Sequence, residues 1–154
     1  MSIQVKTFIH PNQARDNGVI SNMTPKEIIK KHNSRSVNFS ATFRYELWKA
    51  HYKKCAYCGT DLESYSDVII DHFIPKSKVL DNSVQNLVAS CSKCNSIKGN
   101  HDLEYFRFCL AISNSVLYGV IQPNAAKKLL DLGIDLPITT KPFYFEQLLR
   151  ETSQ

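Results

Sequence analysis

A short apolar run, Val68 to Ile70, leads directly into Asp71 and His72, and Pro75 follows soon after. β-Branched residues favour strands and proline cannot continue a hydrogen-bonded ladder, so this run predicts a short buried strand that ends here. A carboxylate and an imidazole at the exit of a buried strand are costly unless they are paired, bind a metal, or lie at the mouth of a site. These two residues are therefore the first candidates for chemistry.

A second set of reactive side chains comes from cysteine. Four of the five cysteines form two Cys-x-x-Cys pairs, Cys55 with Cys58 and Cys91 with Cys94. Each pair can present two thiolates to one ion, and two pairs complete the tetrahedral site typical of structural zinc. Such a site has no open coordination position, so we expect this Zn²⁺ to stabilise the fold and do no chemistry. Disulfides are the alternative, which a reducing compartment disfavours, and Cys109 is predicted to be a buried small hydrophobe.

Polar residues of another type lie in or beside the segment between the cysteine pairs. Asp71 and Asn95 offer oxygen ligands, which suit Mg²⁺ or Mn²⁺ better than zinc. An imidazole such as that of His72 can serve as a general base, and Asn86 enters the second apolar run. Lys98 lies three residues after Asn95 on the same helical face, where it could contact a phosphate. In the alternative interpretation, neither residue has a catalytic role: Asp71 caps a turn, and His72 is an ordinary surface or zinc-adjacent histidine.

The order of these residues resembles that of a known family. The stretches "CAYCG", "IDHFIPKS" and "QNLVASCSKCNSIKG" follow one another along the chain. Together with the helix before the first cysteine pair, over about residues 40–100, they closely resemble the HNH endonucleases, in the branch with a four-cysteine zinc site. The resemblance implies an α+β protein with a ββα-metal (His-Me finger) core, in which two strands and a helix surround one divalent cation and phosphodiester bonds in nucleic acid are cleaved.

The resemblance also implies a role for each polar residue. Asp71 would ligate the catalytic Mg²⁺ or Mn²⁺, and His72 would be the general base that deprotonates the attacking water. Asn95 would be the second metal ligand, in place of the family's final histidine, and Asn86 would brace the loop that aims His72. His101 is not on the helical face of Asn95, and we do not expect it to bind metal. Because neighbours on a regular strand face opposite sides, we expect the backbone to leave strand geometry near Asp71 and His72.

Basic residues are concentrated in one part of the chain. The formal net charge is +5, and residues 26–54, the basic segment, contain eight Lys or Arg, among them Arg35, against two Glu. Such clustering suits a polyanion such as the backbone of double-stranded DNA, although a solvated helix face would have the same composition. Lys76 and Lys78, in the loop after Pro75, are expected to lie where that backbone passes.

The bulk properties are those of an ordinary globular chain. It has 154 residues, 43% of them hydrophobic and 21% charged, which predicts one domain with a modest core. No apolar run approaches the roughly 18 residues that cross a bilayer, and the N-terminus lacks the apolar region of a signal peptide. The sequence thus predicts a cytoplasmic protein with no membrane partner.

Capping and turn patterns predict the elements around the candidate site. Helices are expected in "TPKEIIKKHN", with Thr24 as N-cap, and in "FSATFRYELWKAHY", with Ser40 as N-cap. Strands are expected in "SDVIID" and "NLVAS", followed by a short helix that Gly99 ends. Three more helices are expected in the tail, the first capped by Asp102 and the second by Asn124.

We divide the chain into three segments of a single domain. These are a lead-in with a short basic helix (1–39), a nuclease core with the zinc site (40–101), and a helical extension packed on the core (102–154). The remaining tyrosines and histidines, Tyr57 among them, are expected only to pack.

The leading hypothesis is a metal-dependent endonuclease that acts on double-stranded DNA, in restriction or anti-phage defence. A second hypothesis is a non-catalytic zinc module that binds nucleic acid or a protein. A third keeps the chemistry but changes the substrate to RNA or single-stranded DNA. Since no dedicated DNA-reading element is recognisable, a homodimer or a nuclease subunit of a larger assembly stays open.

Overall fold

Two antiparallel hairpins and six α-helices make up the part of the chain that the computed structural model describes, residues 10–15, 18–33 and 36–154. In chain order the elements are α1 (Pro25–Ile28), β1 (Ile29–His32), β2 (Val37–Phe39), α2 (Ala41–Ala50), β3 (Ile69–His72), β4 (Leu87–Ser90), α3 (Ser92–Lys98), α4 (Leu103–Ser113), α5 (Pro123–Asp131) and α6 (Tyr144–Glu151). Arg35 of the basic segment lies outside the described residues. No helix among those described is both long and apolar enough to pass through a bilayer.

Strands β3 and β4 form the hairpin that the sequence predicts, and α3 follows them directly. All four residues of β4 are buried, as the apolar run "LVA" requires, and α3 packs against β3. Helix α3 ends at Gly99, whose φ of 47° is open to glycine at little cost. The α+β class and the ββα order of the core are therefore confirmed.

Helix α2 supports the hairpin from the other side. The Ser40 hydroxyl accepts a hydrogen bond from the Phe43 backbone N–H at 3.0 Å, so the predicted N-cap is confirmed. Phe43 and Leu47 lie one turn apart and are fully buried in a cluster with Leu87 of β4. Trp48 is partly buried on the same helix.

The first predicted helix is only partly correct. The capping box of Thr24 and Glu27 is present, but α1 ends at Ile28, and the residues from Ile29 onward form strand β1. Ile29 pairs with Phe39 of β2, and both side chains pack on the α2 cluster. β-Branched Ile29 gains more by pairing in a hairpin over the core than by continuing an exposed helix.

The N-terminal ends of the tail helices follow two different rules. Asp102 caps α4 as predicted, because its Oδ1 accepts from the Tyr105 backbone N–H at 2.9 Å. The predicted cap of α5 is wrong, since Gln122 is the N-cap residue and Asn124 lies inside the first turn. Proline is favoured at the first helical position, where a backbone N–H would have no partner, and Pro123 therefore sets the start of α5.

A second buried cluster joins the tail to the first cysteine pair. The rings of Phe106, Phe143 and Phe145 pack around Tyr57, with centroids 5.0, 5.6 and 6.5 Å from its own. The backbone N–H of Tyr144 donates to the Tyr57 carbonyl at 2.9 Å. The end of the chain therefore covers the loop that carries Cys55 and Cys58.

Replacing Phe43 by Ala should lower the free energy of unfolding by about 3–5 kcal/mol, because it removes a buried ring and leaves a cavity. Phe43 is 0% exposed, whereas Tyr45 on the same helix is 41% exposed. Tyr45→Ala is the matched control and should cost less than about 1 kcal/mol. Urea denaturation followed by circular dichroism measures both variants, and equal losses would contradict the assigned core.

Candidate active site

The sulfur atoms of Cys55, Cys58, Cys91 and Cys94 lie within 4.8 Å of one another. The first pair follows α2, and the second brackets the start of α3, where Cys91 is the N-cap residue and its Sγ accepts from the Cys94 backbone N–H at 3.4 Å. All five cysteines of the chain are free, so the structure contains no disulfide. The two ends of the segment that contains β3 and β4 are thus held at one point, and the predicted four-cysteine metal site is confirmed.

This cluster has the dimensions of a tetrahedral zinc site. With Zn–S bonds of about 2.3 Å, neighbouring sulfurs of a tetrahedron are about 3.8 Å apart, and the sulfurs of Cys58 and Cys91 are 3.8 Å apart. Sulfur hydrogen bonding to Cys55 lowers the pKa of the Cys58 thiol, and it lowers the pKa of Cys91 to about 6. The same sulfur contacts raise the pKa of Cys55 and Cys94, so the four thiols share their protons until a Zn²⁺ ion, which binds thiolates, displaces them.

The Asp71 carboxylate is buried and has two donors on one oxygen. The Tyr57 hydroxyl donates to Oδ2 at 2.6 Å, and the Lys98 ammonium lies 3.0 Å from the same atom. Burial and the neighbouring Asp71 charge raise the pKa of Tyr57, so its hydroxyl stays protonated. Since Oδ1 makes no hydrogen bond with any described residue, one carboxylate oxygen is held by the fold and the other is available to a ligand.

His72 is also buried, and one of its ring nitrogens has a defined partner. Nε2 lies 2.7 Å from Oδ1 of Asn82. An amide oxygen can only accept, so this bond places the ring proton on Nε2 and leaves the lone pair of Nδ1 free to take a proton. Burial lowers the pKa of His72, and the nearby positive charge of Lys76 lowers it further. The hydrogen bond to Asn82 raises this pKa, but the net shift is downward. The imidazole is therefore neutral at physiological pH, as a general base must be.

We expected the backbone to leave strand geometry near Asp71 and His72, but it does not. β3 pairs with β4 in a regular antiparallel register through Asp71 and His72. Successive side chains of a strand face opposite sides, so Asp71 is directed at Lys98 of α3, whereas His72 is directed at Asn82 and the ring of Phe39, 6.2 Å away between centroids. The structure therefore places the two side chains on opposite faces of β3, at its last two positions.

Asn86 holds together the loop between β3 and β4. Its Oδ1 accepts from the Ile74 backbone N–H at 2.8 Å, and its Nδ2 donates to the carbonyls of Ile74 and Asp81 at 3.1 and 3.0 Å. The same loop carries Asn82, the partner of His72. Three hydrogen bonds from one buried amide are what a loop-bracing residue needs.

Asn95 lies in α3 directly after the last cysteine of the cluster and is partly exposed. It shares a helical face with Lys98, whose ammonium reaches Asp71, so this face is directed at β3. No hydrogen bond joins the Asn95 side chain to another described residue. Its amide oxygen, like Oδ1 of Asp71, is the type of ligand atom that a hard divalent cation such as Mg²⁺ or Mn²⁺ prefers.

The three lysines expected at a phosphate have different surroundings. Lys98 is 1% exposed, and its ammonium is used by Asp71 and by the His72 carbonyl, to which it donates at 2.8 Å. It faces the strand and not the solvent, because a buried carboxylate requires a counter-charge. Lys76 and Lys78 are exposed in the loop after β3, and Lys76 is close enough to His72 to affect its pKa.

Two further residues contact the candidate groups without having been expected there. Tyr57 donates to Asp71, although the sequence suggested only a packing role, and Asn82 orients His72. The position of Tyr57 between two metal-binding cysteines ties it to the site and could have revealed it. No sequence pattern points to Asn82, because its contact depends on the path of the loop.

Comparison with known proteins places this geometry in context. Residues 55–101 match the HNH endonuclease family. A "CRISPR-associated endonuclease Cas9" from Corynebacterium diphtheriae is 31% identical over 87 residues, which is 56% of this chain and 8% of that protein. A "Septu protein PtuB" from Bacillus thuringiensis is 34% identical over 73 residues, 46% of this chain and 28% of that protein. The chain thus spans less than a third of either relative, and no solved structure matches it.

Replacing Cys94 by Ser should abolish tight zinc binding, because the closed four-thiolate site is lost. Cys109 lies on α4 outside the cluster, so Cys109→Ala is the matched control and should retain one zinc ion per chain. Inductively coupled plasma mass spectrometry measures the metal. We also expect Cys94→Ser to lose cooperative thermal unfolding, since the free energy of metal binding stabilises the fold. Undiminished zinc in Cys94→Ser would contradict the site.

Replacing Lys98 by Met should lower the free energy of unfolding by about 3–5 kcal/mol, because Asp71 is left buried without its counter-charge. Lys93 on the same helix is exposed, and Lys93→Met should cost less than about 1 kcal/mol. Chemical denaturation without added divalent cation compares the two variants. A stable Lys98→Met protein that has lost only affinity for DNA would favour the phosphate contact suggested by the sequence.

Proposed function

Since residues 55–101 belong to the HNH endonuclease family, we propose that this protein is a metal-dependent endonuclease that hydrolyses phosphodiester bonds in double-stranded DNA. The observation that carries the proposal is that two neighbouring residues at the end of β3 supply a carboxylate with one free oxygen and a neutral imidazole with a free Nδ1. A module that only binds would have no need of either group. The non-catalytic alternative therefore has less support.

His72 is the general base in this proposal. Its Nδ1 takes a proton from the attacking water while Nε2 keeps its bond to Asn82, so the ring does not have to turn during the reaction. General-base catalysis of this kind contributes roughly 10²–10⁴-fold to the rate. Asn86 contributes by holding the loop on which Asn82 lies.

Asp71 and Asn95 would hold the catalytic Mg²⁺ or Mn²⁺ through Oδ1 and the amide oxygen. When bound, such a cation stabilises the negative charge that develops on the phosphate oxygens. Tyr57 and Lys98 keep Oδ2 of Asp71 occupied, so Asp71 presents a single oxygen to the site. Lys76 and Lys78, both exposed in the loop after β3, are proposed to contact the DNA backbone.

We also propose that the nuclease acts in defence, in line with the CRISPR-associated relative. The matched stretch is a small part of that relative, which supports a nuclease unit that other elements bring to its target. A homodimer or a larger assembly would supply such elements here.

Replacing His72 by Ala should reduce cleavage of supercoiled plasmid in Mg²⁺ or Mn²⁺ by roughly 10²–10⁴-fold, because the general base is lost. His101 is exposed and outside the site, so His101→Ala is the matched control and should cut like the unmodified protein. Gel analysis of nicked and linear products follows the reaction, with single-stranded DNA and RNA of the same sequence run in parallel. Equal cutting by His72→Ala would remove His72 as the base. No cutting of any substrate with either cation would refute the enzyme.

A further inference from the structure

The positive charge of the basic segment is not equally available along its length. Lys49 and Lys54 are each ion paired, at 2.9 and 2.6 Å from a carboxylate oxygen, and Lys53 lies 4.9 Å from the centre of an indole ring. Lys30 and Lys31 on β1 are exposed and form no ion pair with any residue that the structure describes. Lys26, on α1, is exposed without such an ion pair as well, so two of these three exposed lysines lie on the β1–β2 hairpin.

An irregularity in β1 brings the two lysines to the same place. Ile29 pairs with Phe39 and Lys31 with Asn38, so Lys30 is an extra residue between the paired positions. Consecutive side chains of a regular strand face opposite sides, and a bulge re-aims the extra one. As a result Lys30 and Lys31 both line a cavity of about 480 Å³, together with Asn38 and Phe39.

This cavity adjoins the candidate active site. The ring of Phe39, which lines it, has its centroid 6.2 Å from that of His72. Arg44 lines the cavity as well and donates to the Val68 carbonyl, just before β3 begins. Three cationic side chains thus line a cavity that shares the Phe39 ring with the surroundings of the proposed general base.

We propose that the β1–β2 hairpin is the DNA-docking element of the nuclease, and that Lys30 and Lys31 bind phosphates of the duplex that flank the scissile phosphate at His72. This inference rests on the proposed function. Lysine binds phosphate as a point charge and supplies affinity without reading sequence. A two-stranded ribbon is also narrow enough to follow a groove of B-form DNA. Asn38, opposite Lys31 in the ladder, adds an amide that bonds to the same backbone.

The test measures binding without cleavage. In a zinc-loaded His72→Ala background, fluorescence anisotropy with a fluorescein-labelled duplex gives the binding constant over a series of salt concentrations. The double variant Lys30→Gln, Lys31→Gln should make the negative slope of log K, the binding constant, against log salt concentration shallower by roughly 2. Each lost phosphate contact removes about 0.9 from the magnitude of this slope. Lys127→Gln together with Lys128→Gln, on α5, removes the same charge elsewhere and should leave the slope unchanged.

Each other outcome has a defined meaning. An unchanged slope in the hairpin variant, an equal loss in the α5 variant, or no measurable duplex binding by the parent would overturn the docking role. A larger loss with labelled single-stranded DNA or RNA than with the duplex would overturn the choice of duplex. Plasmid cleavage by the protein with His72 intact is scored separately, so the nuclease can fail while hairpin binding stands, and the reverse.

Discussion

Four sulfur atoms within 4.8 Å of one another are the constraint on which the rest of this site depends. They join two positions that are far apart in the chain, the loop after α2 and the first turn of α3, and so close the segment that contains β3 and β4. Closing a segment of this length costs the chain entropy, and a bound ion offsets that cost in one step. The hairpin itself is only two strands wide, which is marginal without such support.

The same cluster also determines how Asp71 is held. Tyr57 lies between the first two cysteines, and Lys98 lies one helical turn after Cys94, so both donors to Oδ2 are carried by segments that also carry cysteines of the cluster. A buried carboxylate is stable only with such partners. The structural site therefore orients the candidate catalytic carboxylate without touching it, in the way that outer partners orient the ligands of a metal.

Local patterns explain what the sequence could predict. The cysteine spacing, the capping residues Ser40 and Asp102 and the apolar run of β4 each act over a few residues, and the structure has them as expected. The predicted strand in "SDVIID" is present, but it begins only at Ile69 and continues to His72. Strand β1 was missed because it exists through pairing with residues 37–39, which a capped helical start gives no reason to expect. Lys98 lies on α3 with Asn95, as the sequence predicts. Whether its ammonium meets solvent or Asp71 is decided by tertiary packing, which the sequence does not reveal.

The match to the HNH endonuclease family ends at residue 101, whereas the packing that supports Tyr57 continues almost to the end of the chain. Phe106 and Phe143 stack 5.2 Å apart beside its ring, and Arg107 fastens α4 to α6 through Glu146 at 2.8 Å. The buried cluster around Tyr57 therefore extends beyond the residues that match the family. A fragment limited to residues 55–101 would keep all four cysteines of the zinc site. It would lose the phenylalanine rings that cover Tyr57, the residue that donates to Asp71.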